Sequence, residues 1–268
     1  MRKRERLDRV LLERGIVSSR ERAQELIKAG NVLVEGRLLL KPGALVHPTS
    51  PIELKEDLGY VSRGGGKLAQ ALEDFHLDVS DLICLDVGAS TGGFTDCLLQ
   101  AGAARVYALD VGQGQLDWKL RQDPSVTVIE GKNARHLSPE DLAEIPHLAT
   151  VDVSFISLKL VLPVLIPLLV GEATVVALIK PQFEVGKGQV GRGGVVKDLE
   201  KHRKVLQDLT VFFKKEGLLP LDLIRSPIQG AKGNVEYLML LKTPAKEEES
   251  RDKIFSLTED AIDQVVSG

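Results

Sequence analysis

An alternation of strand-sized and helix-sized segments constrains this chain more than any other feature. Apolar runs at 82–87, 105–110, 126–130, 149–153 and 174–179 are each short enough for a strand, and helical spacers separate them. Parallel neighbours need a crossover of a dozen or more residues, and such runs need cover on both faces. The spacers supply both, so the spacing predicts a doubly wound α/β sheet. Two last runs, 221–225 and 236–241, have no long crossover between them. They predict an antiparallel strand near the sheet edge.

The first forty residues read differently. Leu7, Val10 and Leu11 form a helical stripe that stops at Gly15. Ser18 and Glu21 have capping-box spacing before a second helix that carries Ala23, Leu26 and Ile27 and stops at Gly30. Val32 and Val34 then alternate, and Glu35-Gly36 predicts a hairpin turn. A unit this small is near the lower limit for folding alone. Residues 2–37 hold ten Lys/Arg against six Asp/Glu, whereas the whole chain of 268 residues has a net charge of −3. The local excess reads as a solvated face or as an RNA-binding module. The pattern Arg6-Leu7-Asp8, Gly15, Ser19-Arg20, Ala23, Leu26-Ile27, Gly30, Val32, Val34, Gly36 resembles the S4 domain. That resemblance implies RNA binding, with Arg4, Arg6, Arg20 and Lys41 on phosphates, where they add salt-dependent and mostly sequence-blind affinity.

Several classes are disfavoured. No run approaches the ~18 apolar residues of a membrane span, and the greasiest stretch, 160–170, is interrupted by Pro163 and Pro167. The basic N-terminus leads into an amphipathic pattern, not an apolar signal core. A soluble, cytoplasmic protein is expected. Cys84 and Cys97 stand without a CxxC or a histidine cluster and read as small buried hydrophobes, so no metal is expected.

The loop L-D-V-G-A-S-T-G-G-F-T-D, 85–96, follows the first strand and opens a helix. Gly88 suits a sharp turn, and Gly92 and Gly93 suit close approach of a ligand at the helix N-terminus. The spacing is not GxGxxG, which disfavours a dinucleotide. Asp110 ends the second strand, where an acid can hold two ribose hydroxyls, and Asn133 follows the third, near an expected adenine edge. Loop and acid together resemble the S-adenosylmethionine site of class I methyltransferases, with Gly88, Ser90, Thr91, Gly92, Gly93, Asp110 and Asn133 as cofactor-binding residues.

Three more charged residues are expected at one sheet edge. Asp152 ends the fourth strand, Lys180 ends the fifth, and Glu236 starts the antiparallel strand. Methyl transfer to a ribose 2′-hydroxyl needs that hydroxyl polarised or deprotonated. An ordinary lysine is protonated at neutral pH, and burial or a second cation lowers its pKa. A second lysine is therefore expected near Lys180, and Lys67, arriving before the first helix of the sheet domain, is the candidate. Lys67, Asp152, Lys180 and Glu236 resemble the Lys-Asp-Lys-Glu tetrad of FtsJ-like 2′-O-methyltransferases.

The full set of motifs, V-S-R-G-G-G-K-L, D-V-G-A-S-T-G-G-F-T-D, S-F-I-S-L, K-P-Q-F-E-V-G-K-G-Q-V-G and G-N-V-E-Y, is similar to the TlyA family across nearly the whole chain. This implies a Rossmann-like, seven-stranded sheet with one antiparallel strand, preceded by a small α+β S4 domain. It also implies S-adenosylmethionine-dependent methylation of cytidine in ribosomal RNA of the large subunit, with the small subunit added in longer members whose helical tail resembles this one. The family also carries a haemolysin label. The linker Glu56-Asp57-Leu58-Gly59-Tyr60 departs from the Arg-Ala-Trp type seen in that family.

Expected boundaries are 1–59 for the RNA-binding domain and linker, 60–245 for the methyltransferase domain and 246–268 for a helical tail. Gly64, Gly65 and Gly66 read as a hinge that delivers Lys67, with Arg63 on RNA. The loop 186–196 reads as a mobile lid with Lys187 and Arg192 on phosphates. A membrane-active cytolysin and an RNA-binding protein on an inactive methyltransferase fold are the alternatives.

Overall fold

The computed structural model of the protein describes residues 4–17, 19–28, 30–54, 59–186, 188–243 and 257–268, apart from the side chains of Arg22, Glu25 and Arg192. The chain divides into two compact units, 1–62 and 63–268. Ser18 of the expected capping box, linker residues 55–58, Lys187 and tail residues 244–256 lie outside the described residues.

The first unit runs β1 (Glu5–Arg6), α1 (Leu7–Glu13), α2 (Arg20–Lys28), β2 (Val32–Val34), β3 (Arg37–Leu38), β4 (Leu45–Val46) and β5 (Ile52–Leu54). Strand β1 pairs with β4, and β2 is the centre of an antiparallel sheet between β3 and β5. The predicted stripes are its core: Leu7, Val10, Leu11, Ala23, Leu26 and Ile27 are all buried. Glu35 (φ 51°) and Gly36 (φ 72°) are both left-handed, the geometry of a two-residue hairpin turn.

The second unit runs α3 (Arg63–Asp74), β6 (Ile83–Val87), α4 (Gly93–Gln100), β7 (Arg105–Asp110), α5 (Trp118–Arg121), β8 (Val126–Glu130), β9 (Leu148–Val151), α6 (Leu158–Leu165), β10 (Thr174–Ile179), α7 (Pro181–Glu184), α8 (Leu199–Lys215), β11 (Leu219–Arg225), β12 (Tyr237–Lys242) and α9 (Glu259–Ser267). Its seven strands lie in the order β11-β12-β10-β9-β6-β7-β8. Strand β12 is antiparallel to both neighbours, and the five strands from β10 to β8 are parallel. The seven-stranded sheet with one reversed strand is therefore as the sequence predicts. The strand order reverses between β6 and β9, so the crevice beyond their carboxyl ends is where a ligand is expected. Helix α9 closes the described chain by burying Ile262 and Val266 in the core shared with α8. The Arg203 and Asp263 side chains pair across α8 and α9.

The expected hinge does not form. Gly64, Gly65 and Gly66 are no hinge: they lie in the first turn of α3, and Lys67 lies inside that helix, not ahead of it. A Cβ on Gly66 would sit 3.2 Å from Ile228 Cδ1. At this position the absence of a side chain lets the helix approach the 226–230 loop, and chain reversal has no part in it.

Candidate active site

The site is built from strand ends. Asp152 follows β9, Lys180 follows β10, and Glu236 immediately precedes β12. Ile179 pairs with Tyr237 in the antiparallel register, so one further step sets Lys180 beside Glu236. Two lysine–carboxylate pairs form there. Lys67 Nζ donates to Glu236 Oε2 at 2.5 Å, and the two residues are 8% and 3% exposed. Lys180 Nζ lies 2.5 Å from Asp152 Oδ1 and donates to Ser154 Oγ at 2.8 Å. A Cβ on Gly230 would stand 1.8 Å from Glu236 Oε1, so only glycine leaves that carboxylate its place. The 226–236 loop is closed by Ser226 N donating to Glu236 O (2.9 Å) and Gly230 N donating to Asn234 O (2.8 Å).

Asp152, alone of the four, lines a cavity of about 800 Å³, within the range of small-molecule sites, and Gly88, Ser90, Asp110, Asn133 and Phe155 are among its other lining residues. Gly88 is left-handed (φ 87°), and a Cβ there would meet Asp152 O at 2.4 Å. Asp110 accepts from Ser90 N (2.8 Å) and Gly112 N (2.7 Å), tying the end of β7 to the loop after β6. Asn133 lines the cavity and caps the turn at 134–136 through Oδ1.

Thr91, Gly92 and Gly93 do not line it. Gly92 is left-handed (φ 98°), and its missing Cβ would fall 2.2 Å from Leu120 Cδ1 and 2.8 Å from Leu116 Cδ1. The expectation that this glycine admits a ligand is therefore corrected: it admits the side chains packed between α4 and α5.

Three residues escaped the sequence reading. Asp86, the second residue of the quoted loop, is fully buried and accepts from Thr95 Oγ1 (2.6 Å) and Thr150 Oγ1 (3.0 Å). Burial pushes its carboxyl up to about 6. Glu130, at the end of β8, accepts from Gly114 N (2.8 Å) and Gln115 N (3.3 Å) and pairs with Arg121, which fixes the loop bearing the cavity residue Gln115. Phe155 is 90% exposed with φ 63°, and its ring lies 4.8 Å from that of Phe183. The S-F-I-S segment that carries it is clamped by Glu184, which accepts from Ser157 Oγ (2.6 Å) and Leu158 N (2.8 Å). Desolvation raises the Glu184 carboxyl. Each had a signal in sequence: Asp86 is an acid two residues before Gly88, Glu130 ends a strand run as Asp110 does, and Phe155 lies in the S-F-I-S-L motif.

Among the expected RNA contacts, Arg4 and Lys41 are exposed. Arg6 and Arg20 both bind the buried Asp8. Arg63 is the first residue of α3. Arg192 begins a short 3-10 turn. The end of the glycine-rich segment is pinned: Asn234 Oδ1 accepts from Val196 N (3.2 Å), and His202 Nε2 lies 2.8 Å from Val196 O.

The geometry can also be set beside related proteins. The FtsJ-like methyltransferase family model matches residues 60–243, and the S4 domain model matches residues 5–52. The chain is 47% identical over 266 residues to the Bacillus subtilis protein YqxC, provisionally described as an rRNA methyltransferase, covering 98% of this chain and 93% of YqxC. It is 44% identical over 269 residues to the 16S/23S rRNA (cytidine-2′-O)-methyltransferase TlyA of Mycobacterium tuberculosis, covering 100% of this chain and 99% of TlyA. A solved structure from Streptococcus thermophilus with a provisional hemolysin label aligns with a TM-score of 0.78 at 44% identity, covering 99% of this chain and 95% of that one.

Proposed function

The chain belongs to the FtsJ-like methyltransferase family, and on that premise we propose that it methylates the 2′-hydroxyl of cytidine in ribosomal RNA, with S-adenosylmethionine as donor. The observation that carries this reading is the pair of lysine–carboxylate contacts, Lys67–Glu236 and Lys180–Asp152, at the strand edge where Asp152 lines the cavity. The relative that is similar over the whole length is described as acting on both 16S and 23S rRNA. We therefore propose ribosomal RNA of either subunit as substrate and an intracellular setting for the reaction.

The cavity residues fit such a donor. Asp110 supplies a carboxylate for a ribose, and Asn133 lies beyond it for an adenine. Asp152 lines the same cavity, and its Oδ1 is held by the Lys180 ammonium at 2.5 Å. When bound, the cofactor supplies an electrophilic methyl group.

The chain's own residues do the rest. Lys180, held by Asp152 and Ser154, orients and polarises the 2′-hydroxyl, whose proton leaves to water as the oxygen takes the methyl group. Lys67 adds a second cation at the ribose, and Glu236 keeps it in place. The exposed ring of Phe155, tilted against that of Phe183, offers a face for a base turned out of its helix. Residues 1–59 grip the RNA, 60–245 catalyse, and helix α9 braces the catalytic unit. Among the described residues no helix is long and apolar enough to cross a membrane.

The test is methyl transfer to purified ribosomal subunits with the methylated riboses mapped. Wild type is expected to methylate a cytidine ribose, and Lys180→Ala is expected to lose this while still binding S-adenosylhomocysteine. Equal methylation by both proteins would overturn the assigned chemistry.

A further inference from the structure

We infer that Asp8 is a positioning residue that holds Arg6 and Arg20 as one paired grip for the phosphates of an RNA backbone. This rests on the RNA-binding role proposed for the first unit. Asp8 has no exposure of its own, yet both arginines reach it from different elements. Arg6, from β1, donates Nε to Oδ1 at 3.0 Å and Nη2 to Oδ2 at 2.8 Å. Arg20, the first residue of α2, donates Nε to Oδ2 at 3.1 Å, and Gln24 Nε2 donates to the same oxygen at 3.2 Å.

The backbone under the pair is equally tied. Leu7 N donates to Ala44 O at 2.8 Å and Asp8 N to Pro42 O at 3.0 Å, which brings the turn bearing exposed Lys41 alongside. A Cβ on Gly43 would stand 3.2 Å from Arg6 Nη1, so the guanidinium is flanked on that side too.

Two guanidiniums drawn to one oxygen repel each other, and the carboxylate offsets that repulsion. The Arg6 hydrogen bond holds the Asp8 carboxyl far below the usual carboxylate range despite its burial, so the clamp stays charged at every working pH. Arg6 gives Asp8 two of its five N–H donors and Arg20 gives one. Both side chains remain about half exposed, at 45% and 46%. An arginine already fixed in one plane loses less freedom on binding a phosphate than a loose one.

The sign of one substitution separates positioning from bulk charge. Removing the negative charge of Asp8 makes the first unit more cationic, so a pure charge effect predicts tighter RNA binding. Loss of positioning predicts weaker binding at nearly the same salt dependence, because the number of phosphates contacted is unchanged.

The experiment uses the full chain and purified large ribosomal subunits, with affinity measured over a salt series and folding checked by thermal unfolding. Asp8→Asn is expected to weaken binding about tenfold, the scale for reordering two long side chains. Arg6→Lys, which keeps the charge but not the two-pronged contact, is expected to weaken it similarly, and Arg20→Ala more. Asp8→Asn binding as well as or better than wild type, with Arg20→Ala still weakened, would overturn the positioning role and leave the RNA reading standing. Unchanged binding by Arg20→Ala and Arg6→Ala together would overturn the RNA reading itself. If Asp8→Asn melts the first unit, Arg6→Lys decides: wild-type affinity for that variant would sink the inference.

Discussion

Lys67 and Glu236 stand 169 residues apart in the chain, and their side chains meet at 2.5 Å with almost no exposure. One comes from a helix that precedes the sheet and the other from the turn before its reversed strand. A buried pair of this kind is weak evidence of stabilisation, because taking both charges out of water offsets much of their attraction. Its placement next to Lys180, whose partner Asp152 lines a ligand-sized cavity, is better explained by chemistry.

That explanation separates stability from activity. Lys67→Met leaves the Glu236 carboxylate buried and unpaired, and should cost about 3–5 kcal/mol in denaturant unfolding. The double variant Lys67→Met/Glu236→Leu should recover most of that stability and still transfer no methyl group to ribosomal subunits. Recovery of both would make the pair purely structural.

Gly230 should matter through Glu236 alone. Alanine there would drive a methyl group to 1.8 Å from Oε1 and push the carboxylate aside. Misplacing a reacting group by about 1 Å can cost 10²-fold, so Gly230→Ala should lower kcat by about that factor. Its affinity for S-adenosylhomocysteine, measured calorimetrically, should stay at the wild-type value.

Glu130 should show the reverse pattern. Its carboxylate holds the 114–115 amides and Arg121, which fixes one wall of the cavity. Glu130→Gln weakens hydrogen bonds to a charged acceptor, worth about 1.5–3 kcal/mol each at most. Calorimetry should show S-adenosylhomocysteine binding reduced about tenfold or more, while affinity for ribosomal subunits is unchanged.

Asp86 gives a pH signature. Its folded carboxyl titrates at about 6, against about 3.9 for an unperturbed aspartate. Between those values the folded state binds more protons than the unfolded state. Its contribution to stability therefore falls as pH rises from about 4 to 6, by roughly 2–3 kcal/mol, and is level above that. Asp8 and Asp141 are depressed and act in the opposite sense at lower pH, so the quantity to measure is the difference between wild type and Asp86→Asn. Urea unfolding at pH 4, 5, 6 and 7 should show wild type losing ground to the variant through this window. A constant difference would remove Asp86 as its source.

The sequence by itself determined the two-part architecture, the parallel sheet with one reversed strand and the core of the first unit. These follow from apolar periodicity and spacer length, which are local properties of the chain. It also set Asp152, Lys180 and Glu236 at one sheet edge, because strand direction dictates which ends share an edge, whereas Lys67 was named only as an expected second lysine and by resemblance. Tertiary structure alone decided what the glycines are for. Gly66 and Gly92 look like freedom in a one-dimensional reading, but their missing Cβ atoms are filled by Ile228, Leu116 and Leu120. It also decided that Asp8 binds two arginines, that Glu130 carries a loop and that Asp86 is sealed beneath the site. A glycine or a lone acid has no periodicity to declare its neighbours, so its role exists only once distant segments have packed around it.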